Sequence, residues 1–267
     1  MLLPLQNRSI AYDLMGPESG PVVCFTHSLA SDGGMWAEQV PPLLAAGFRV
    51  LRIDMRGHGG SDPVTGDYTM EQLASDTAAV VDALGFRQVH YIGLSIGGMQ
   101  GQAFALNHGA KLKSMMLCDT MPQSPGASEA KAAWSARVKM VREANSVAPL
   151  ADGTMERWFT DAFKPRKPGR WKEIRDTVAA TTPQGFLGCA AAIQNFDFVA
   201  RLPSIKTPTL VVCGADDPGT PPAGNKKIAE LIPHGRYEEI PNARHFPNVE
   251  HPDVFNRIMM GWLSSQR

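Results

Sequence analysis

Apolar residues follow two alternating rhythms along this chain. Short, nearly continuous runs occur at Val22 to Thr26, Phe48 to Ile53, Val89 to Gly93, Ser114 to Cys118 and Thr209 to Cys213. Strands of a parallel sheet buried on both faces have this form. Ile10, Tyr12 and Leu14 alternate instead, which predicts an early strand with one face exposed. Between the runs lie stretches of helical period. Thr69 and Gln72 have the spacing of a capping box, and Leu73, Thr77, Val80, Val81 and Leu84 then recur at helical spacing up to Gly85. Ile96 to Asn107, Ala223 to Ile232 and Pro252 to Leu263 predict three more helices. Strands alternating with helices predict an α/β fold, a mostly parallel central sheet flanked by helices.

The alternation stops between residues 122 and 200. Pro122 and Pro125 open this region, and Pro203 and Pro208 mark the return to strands. Inside it, Trp134, Val138, Val141, Trp158, Phe159, Trp171 and Phe186 follow helical spacing without a clear strand. The expectation is a core of residues 1–121 and 201–267 carrying a helical insertion, 122–200. The basic stretch from Lys164 to Lys172 is broken by Pro165 and Pro168 and reads as a solvated loop.

Composition narrows the function classes. With 43% hydrophobic and 19% charged residues, the 267-residue chain has the make-up of an ordinary globule. Lys plus Arg and Asp plus Glu both number 26, so net charge draws the chain to neither nucleic acid nor an anionic membrane. No run approaches the ~18 apolar residues of a membrane span, and the first residues lack a signal-peptide pattern. Cys24, Cys118, Cys189 and Cys213 show no C-x-x-C pairing, and three of them lie in strand-like runs. Reduced thiols, a cytoplasmic location and no metal site are expected. Nothing in the sequence opposes a homo-oligomer.

The strongest chemical signal is Gly93-Leu94-Ser95-Ile96-Gly97-Gly98. It fits G-x-S-x-G and lies between a predicted strand and a predicted helix, where a sharp turn exposes a serine hydroxyl. A hydroxyl is a weak nucleophile and needs an adjacent base. In this architecture the triad runs Ser, acid, His along the chain. His245 follows the predicted strand Arg236 to Ile240 and is the expected base. Asp217, in the turn after Thr209 to Val212, is the expected acid; Asp216 and Asp119 are the competitors. The backbone N–H groups of Leu29 and Ile96 are the expected oxyanion hole. His27 is expected to brace its loop by hydrogen bonds. The glycine-rich stretch Asp54 to Asp62 lacks a closing G-K-[ST], so it reads as a structural turn in which Asp54 and Arg56 pair with neighbours, not as a phosphate loop.

With these motifs in place, the chain resembles the 3-oxoadipate enol-lactonases of the α/β-hydrolase superfamily. The resemblance rests on His27-Ser28-Leu29 with Met35-Trp36, Asp54 to Gly59, Gly93 to Met99, Glu156-Arg157-Trp158-Phe159, Asp217 to Pro222, and His245 with Asn248-Val249-Glu250. It spans about residues 8 to 263. It implies a small helical cap over the site, no cofactor, and hydrolysis of a small acidic enol-lactone through an acyl-enzyme. Trp134 and Arg137 match a family Trp-x-x-Arg pattern, so Arg137 is a candidate partner for a substrate carboxylate. Trp134, Trp158 and Phe159 are candidate pocket walls. His27 and Asp119 stand where these lactonases commonly carry Asn, and Phe246-Pro247 where they carry an aliphatic residue and Ser. These departures border the pocket and keep a general carboxylesterase as the alternative. A carbon–carbon hydrolase, a perhydrolase and a non-catalytic small-molecule receptor are the remaining readings of the same fold.

Overall fold

The computed structural model describes residues 1–266. Its centre is one eight-stranded sheet of β1 (Leu2–Leu5), β2 (Arg8–Met15), β3 (Val22–Thr26), β4 (Arg49–Ile53), β5 (Val89–Leu94), β6 (Leu112–Cys118), β7 (Thr209–Gly214) and β8 (Arg236–Ile240). The spatial order is β1-β2-β4-β3-β5-β6-β7-β8. Strand β2 runs antiparallel to both of its neighbours, and every pair from β4–β3 to β7–β8 is parallel. Of the five strands whose runs read as covered on both faces, β3, β5 and β7 are buried at every residue. β1 was not anticipated; Leu2–Leu5 is a short edge strand with alternate residues exposed, too brief to carry a periodic signal.

Helices α1 (Val40–Ala45), α2 (Met70–Ala83) and α3 (Ile96–His108) connect the first strands. The capping box of α2 is formed: the Thr69 hydroxyl accepts from Gln72 N, and the Gln72 side chain accepts from Thr69 N. Gly85, at φ 72°, ends that helix in the left-handed conformation. Between β6 and β7 lie α4 (Ser128–Ala144), α5 (Ala151–Trp158), α6 (Phe163–Arg166), α7 (Pro168–Ala180) and α8 (Pro183–Gln194). Helices α9 (Pro222–Leu231), α10 (Pro247–Glu250) and α11 (Pro252–Ser265) complete the chain. No helix among the described residues is long and apolar enough to cross a membrane.

The basic stretch from Lys164 to Lys172 departs from expectation. It forms α6 and the first turn of α7 rather than a loop. Pro168 stands at the first helical position, where its missing N–H loses nothing. Arg170 then forks onto Glu38 with Nε–Oε1 2.9 Å and Nη2–Oε2 3.0 Å, and also donates to Gly34 O. The charge is therefore used to dock α7 on the turn at Gly33–Gln39.

The strand order positions the site. From β3 the chain moves outward to β4, then crosses back to place β5 on the other side of β3. At such a reversal the helices leave in opposite directions and open a crevice beyond the carboxyl ends of the two strands. The loops after β3 and β5 carry Leu29 and Ser95 into it.

The turn after β4 is held by a buried ion pair. Arg56 Nε donates to Asp76 Oδ2 at 2.7 Å, both side chains are buried, and Arg8 pairs with the other oxygen of the same carboxylate. Removing one partner strands a charge in the interior. Asp76→Ala is expected to destabilise the fold by ~3–5 kcal/mol, read from the urea midpoint. The exposed i,i+4 pair Lys139–Glu143 provides the contrast: Glu143→Ala should change stability by less than ~0.5 kcal/mol.

Candidate active site

Ser95 sits between β5 and α3 with φ 59° and ψ −119°. A non-glycine residue in such a conformation stores roughly 1–3 kcal/mol of strain, which its surroundings must hold. Three bonds do so. Ser95 N donates to Cys118 O at 2.9 Å, Met99 N donates to Ser95 O at 3.0 Å, and the Thr120 hydroxyl donates to the same oxygen at 2.7 Å. Below the turn, Tyr91 Oη donates to Gly97 O at 2.7 Å and accepts from the Thr26 hydroxyl at 2.6 Å. The approach is too close for side chains. A Cβ on Gly93 would lie 2.3 Å from Gly97 O, and one on Gly97 would lie 2.6 Å from Thr26 O.

His245 and Asp217 meet on neighbouring loops beyond β8 and β7. Their Nδ1–Oδ2 distance is 2.7 Å, and both side chains are buried. A carboxylate on Nδ1 fixes that nitrogen as the protonated one and leaves Nε2 as the basic site. Asp217 also accepts from Gly219 N at 2.8 Å, Thr220 N at 3.2 Å and the Thr220 hydroxyl at 2.5 Å. Burial pushes its pKa up, but the charge and hydrogen bond of His245, then Thr220 and Gly219, outweigh burial and hold it below the ordinary 3.8. Among the described residues no hydrogen bond joins Ser95 Oγ to the imidazole. Such contacts commonly tighten only around substrate.

The histidine loop is tied to the segment between β6 and β7. Phe246 N donates to Trp158 O at 3.2 Å, and the Trp158 ring stacks on Phe246 (4.1 Å between centroids) and His245 (6.3 Å). The buried carboxylate of Glu250 accepts from Arg244 N, Thr160 N and the Thr160 hydroxyl. Arg244 Nη1 reaches Glu156 O and Phe159 O.

The amides of Leu29 and Ile96 are buried and form no hydrogen bond among the described residues. Unpaired buried N–H groups are rare and point to a ligand that accepts from them. His27 fixes the loop that carries Leu29: its Nε2 accepts from Met55 N at 2.8 Å and its Nδ1 donates to Ser28 O at 2.7 Å. In the turn after β4, Asp54 accepts from Gly33 N and Gly60 N.

The other sequence candidates separate. Trp158 lies against His245. Trp134 and Arg137 lie on α4, with the guanidinium 5.1 Å from the indole centroid. Trp134 lines a groove of about 400 Å³ with Val138, Leu187 and Ala191. Phe159 stacks on Phe163 at 4.1 Å and is buried in the core. Asp216 lines a cavity of about 630 Å³ with Arg157, Pro218 and Arg244. Asp119 is buried at the end of β6 and accepts from Gly214 N at 2.8 Å.

Sequence reasoning gave no individual role to Thr220, Asn225 or Glu250. Asn225 accepts from Thr120 N at 2.9 Å and donates to Thr220 O at 2.8 Å, which ties the serine turn to the acid turn. Thr220 and Glu250 fall within stretches that carry the family resemblance, but no spacing tells what they do; Asn225 and Glu250 bond to Thr120 and Thr160, far away in the chain. Asp119, Cys213 and Asp217 bring one ligand atom each within 4.8 Å, the one such cluster among the described residues. It offers little to a cation. Burial, then Asp119 and Asp217, push the Cys213 thiol far above its ordinary value, and Asp217 is already engaged by four donors.

Residues 21–252 match the model of the alpha/beta hydrolase fold family. The chain is 32% identical over 265 residues to 3-oxoadipate enol-lactonase 1 of Acinetobacter baylyi, covering 99% of this chain and 97% of that one. The enol-lactonase from Burkholderia xenovorans LB400 superposes with a TM-score of 0.93 at 33% identity, covering 99% and 100%. A thermophilic esterase from Thermogutta terrifontis superposes with a TM-score of 0.89 at 30% identity, covering 97% and 94%.

A pH dependence follows from the ring next to His27. The His58 ring lies 5.2 Å from that of His27, and burial, then His27, lower its pKa from 6.5 to about 3. The folded state therefore holds this ring neutral while the unfolded chain protonates it. The contribution to stability is complete above pH 6.5 and is lost as pH falls towards 3, by up to ~1.4 kcal/mol per pH unit. Urea midpoints at pH 7 and pH 5 should differ in this sense, and His58→Gln should flatten the difference.

Proposed function

This chain belongs to the alpha/beta hydrolase fold family, and we propose that it hydrolyses an ester or lactone bond with Ser95, His245 and Asp217 as a catalytic triad. The observation that carries the reading is the strained Ser95 turn at the strand reversal, beside a buried His245–Asp217 pair. Ser95 Oγ attacks the carbonyl carbon while His245 Nε2 takes its proton. Asp217 holds the imidazole tautomer and stabilises the imidazolium without taking the proton itself. The amides of Leu29 and Ile96 receive the oxyanion, where one such donor is worth about 10²–10³ in rate. His245 returns the proton to the leaving oxygen, then activates water to release the acid and free Ser95.

The substrate class we favour is a small enol-lactone that carries a carboxylate, as in the similar 3-oxoadipate enol-lactonases. In a lactone the leaving enol stays tethered to the acyl-enzyme. Two half-buried guanidiniums support an anionic substrate. Arg137 and Arg157 form no ion pair among the described residues, and burial, then Arg137, lower the Arg157 pKa to about 10. A guanidinium without a carboxylate partner is a ready acceptor of one. The helical segment 122–200 would cap the site, and Trp158 supports this by holding the histidine loop. The four unbridged, buried cysteines are compatible with a reducing, cytoplasmic setting.

Ser95→Ala should lower kcat on p-nitrophenyl butyrate and on 3-oxoadipate enol-lactone by at least ~10⁴-fold. Equal rates for variant and wild type would remove the triad. The wild type should prefer the lactone in kcat/KM; fast esters with an idle lactone would make the protein a general carboxylesterase. Arg137→Ala should raise KM for the anionic lactone by about ten- to a hundredfold, with the uncharged ester unaffected. Parallel losses on both substrates would assign Arg137 to structure.

A further inference from the structure

Asp119 is a second carboxyl group beside the proposed triad acid. It follows β6, with its backbone at φ 43° and its side chain fully buried. One oxygen, Oδ1, accepts from Gly214 N. The other, Oδ2, is buried and has no hydrogen-bond partner among the described residues. An oxygen of this carboxyl and one of Asp217 lie within 4.8 Å, with Cys213 Sγ the third corner. Two carboxylates this close, away from water, cannot both ionise, so one holds a proton.

The donors decide which. Asp217 receives His245 Nδ1, the Thr220 hydroxyl, Thr220 N and Gly219 N. Each favours the ionised form. Asp119 receives one N–H and keeps one orphaned oxygen, the natural seat of a proton. We infer that Asp119 is a neutral carboxylic acid that turns its O–H towards Asp217 and acts as a positioning residue for the triad. Burial, then the charge of Asp217, push the Asp119 carboxyl well above its ordinary range, in keeping with this geometry.

The other groups facing Asp119 do not compete. Cys118 on its own strand, Cys213 on β7 and Tyr237 on β8 are all held neutral, chiefly by burial. Asn225, from α9, is uncharged and bonds to the neighbouring Thr120. Asp217 is thus the one anion of the cluster. A donor facing it withdraws charge from the oxygens that stabilise the His245 imidazolium. Removing that donor would concentrate the charge on those oxygens.

This role rests on Asp217 serving as the triad acid, so the test separates the two. Asp119→Asn keeps the shape, tolerates the left-handed backbone and replaces the O–H donor with an N–H. It should retain kcat within about threefold, a change smaller than one neutral hydrogen bond is worth. Asp217→Asn should lose about 10⁴-fold. Asp119→Ala should lower kcat by about ten- to a hundredfold, the worth of one bond to a charged group. It should also move the acid limb of kcat/KM to higher pH. Difference infrared spectra of wild type against Asp119→Asn at pH 7 should contain one protonated-carboxyl stretch. Absence of that band, or a collapse of Asp119→Asn to the level of Asp217→Asn, would overturn the neutral assignment. An unmoved acid limb in Asp119→Ala would overturn the positioning role. Full activity in Asp217→Asn would instead remove the triad reading, while the infrared band would still report on Asp119.

Discussion

A serine held at φ 59° between a buried strand and a buried helix is the constraint on which the rest of this site depends. The conformation is unfavourable on its own, so its neighbours must be small, or bonded to it, or both. Gly93 and Gly97 leave no room for a Cβ, and Gly98 would place one 2.7 Å from Thr120 Cβ. Thr120 therefore sits close enough to donate to Ser95 O. Its amide in turn reaches Asn225, which reaches Thr220, whose hydroxyl donates to Asp217. A continuous polar chain links the Ser95 backbone to Asp217, 122 residues later in sequence. The strain at one residue is balanced by partners on α9 and on the turn after β7. This explains why both loops are fixed before any ligand arrives.

Electrostatics follow the same geometry. The interior around the carboxyl ends of β6 and β7 contains two carboxyl groups, two thiols and the imidazole of His245. Such a site is tolerable only if its donors are unequally distributed. Four donors gather on Asp217 and one on Asp119. The asymmetry localises one negative charge next to one imidazole. A symmetric arrangement would leave the histidine with two half-ionised partners and no defined tautomer.

The sheet was legible because its strands are covered on both faces, so apolar runs such as Thr209 to Cys213 stand out. The capping box at Thr69 and the glycine-flanked Ser95 were legible for a related reason: each is a local pattern dictated by backbone geometry. The first strand was not, because Leu2–Leu5 is short, lies at an edge and alternates only once or twice. The Lys164 to Lys172 stretch misled because proline and lysine resemble a loop locally. Its order comes from Glu38, 132 residues away from Arg170. Asp119 was visible as a competing acid, but its distinction from Asp217 lies in how many donors each collects, which no spacing encodes.

The helical segment between β6 and β7 is bonded directly to the loop that carries His245. Phe246 N bonds to Trp158 O, Arg244 bonds to two carbonyls at the end of α5, and Glu250 takes both donors of Thr160. These contacts flank His245 on both sides. Arg166 of α6 adds a bond to Glu250 O. A displacement of α5 and α6 would therefore pull on the histidine loop itself, whereas the serine turn is held by β6 and α9. The histidine loop is thus tied on one side to the helical segment and on the other, through Asp217 and the bond from Asp216 N to Ala243 O, to the turn after β7. The docking of α5 and α6 therefore bears on His245 directly and on Ser95 only through that turn.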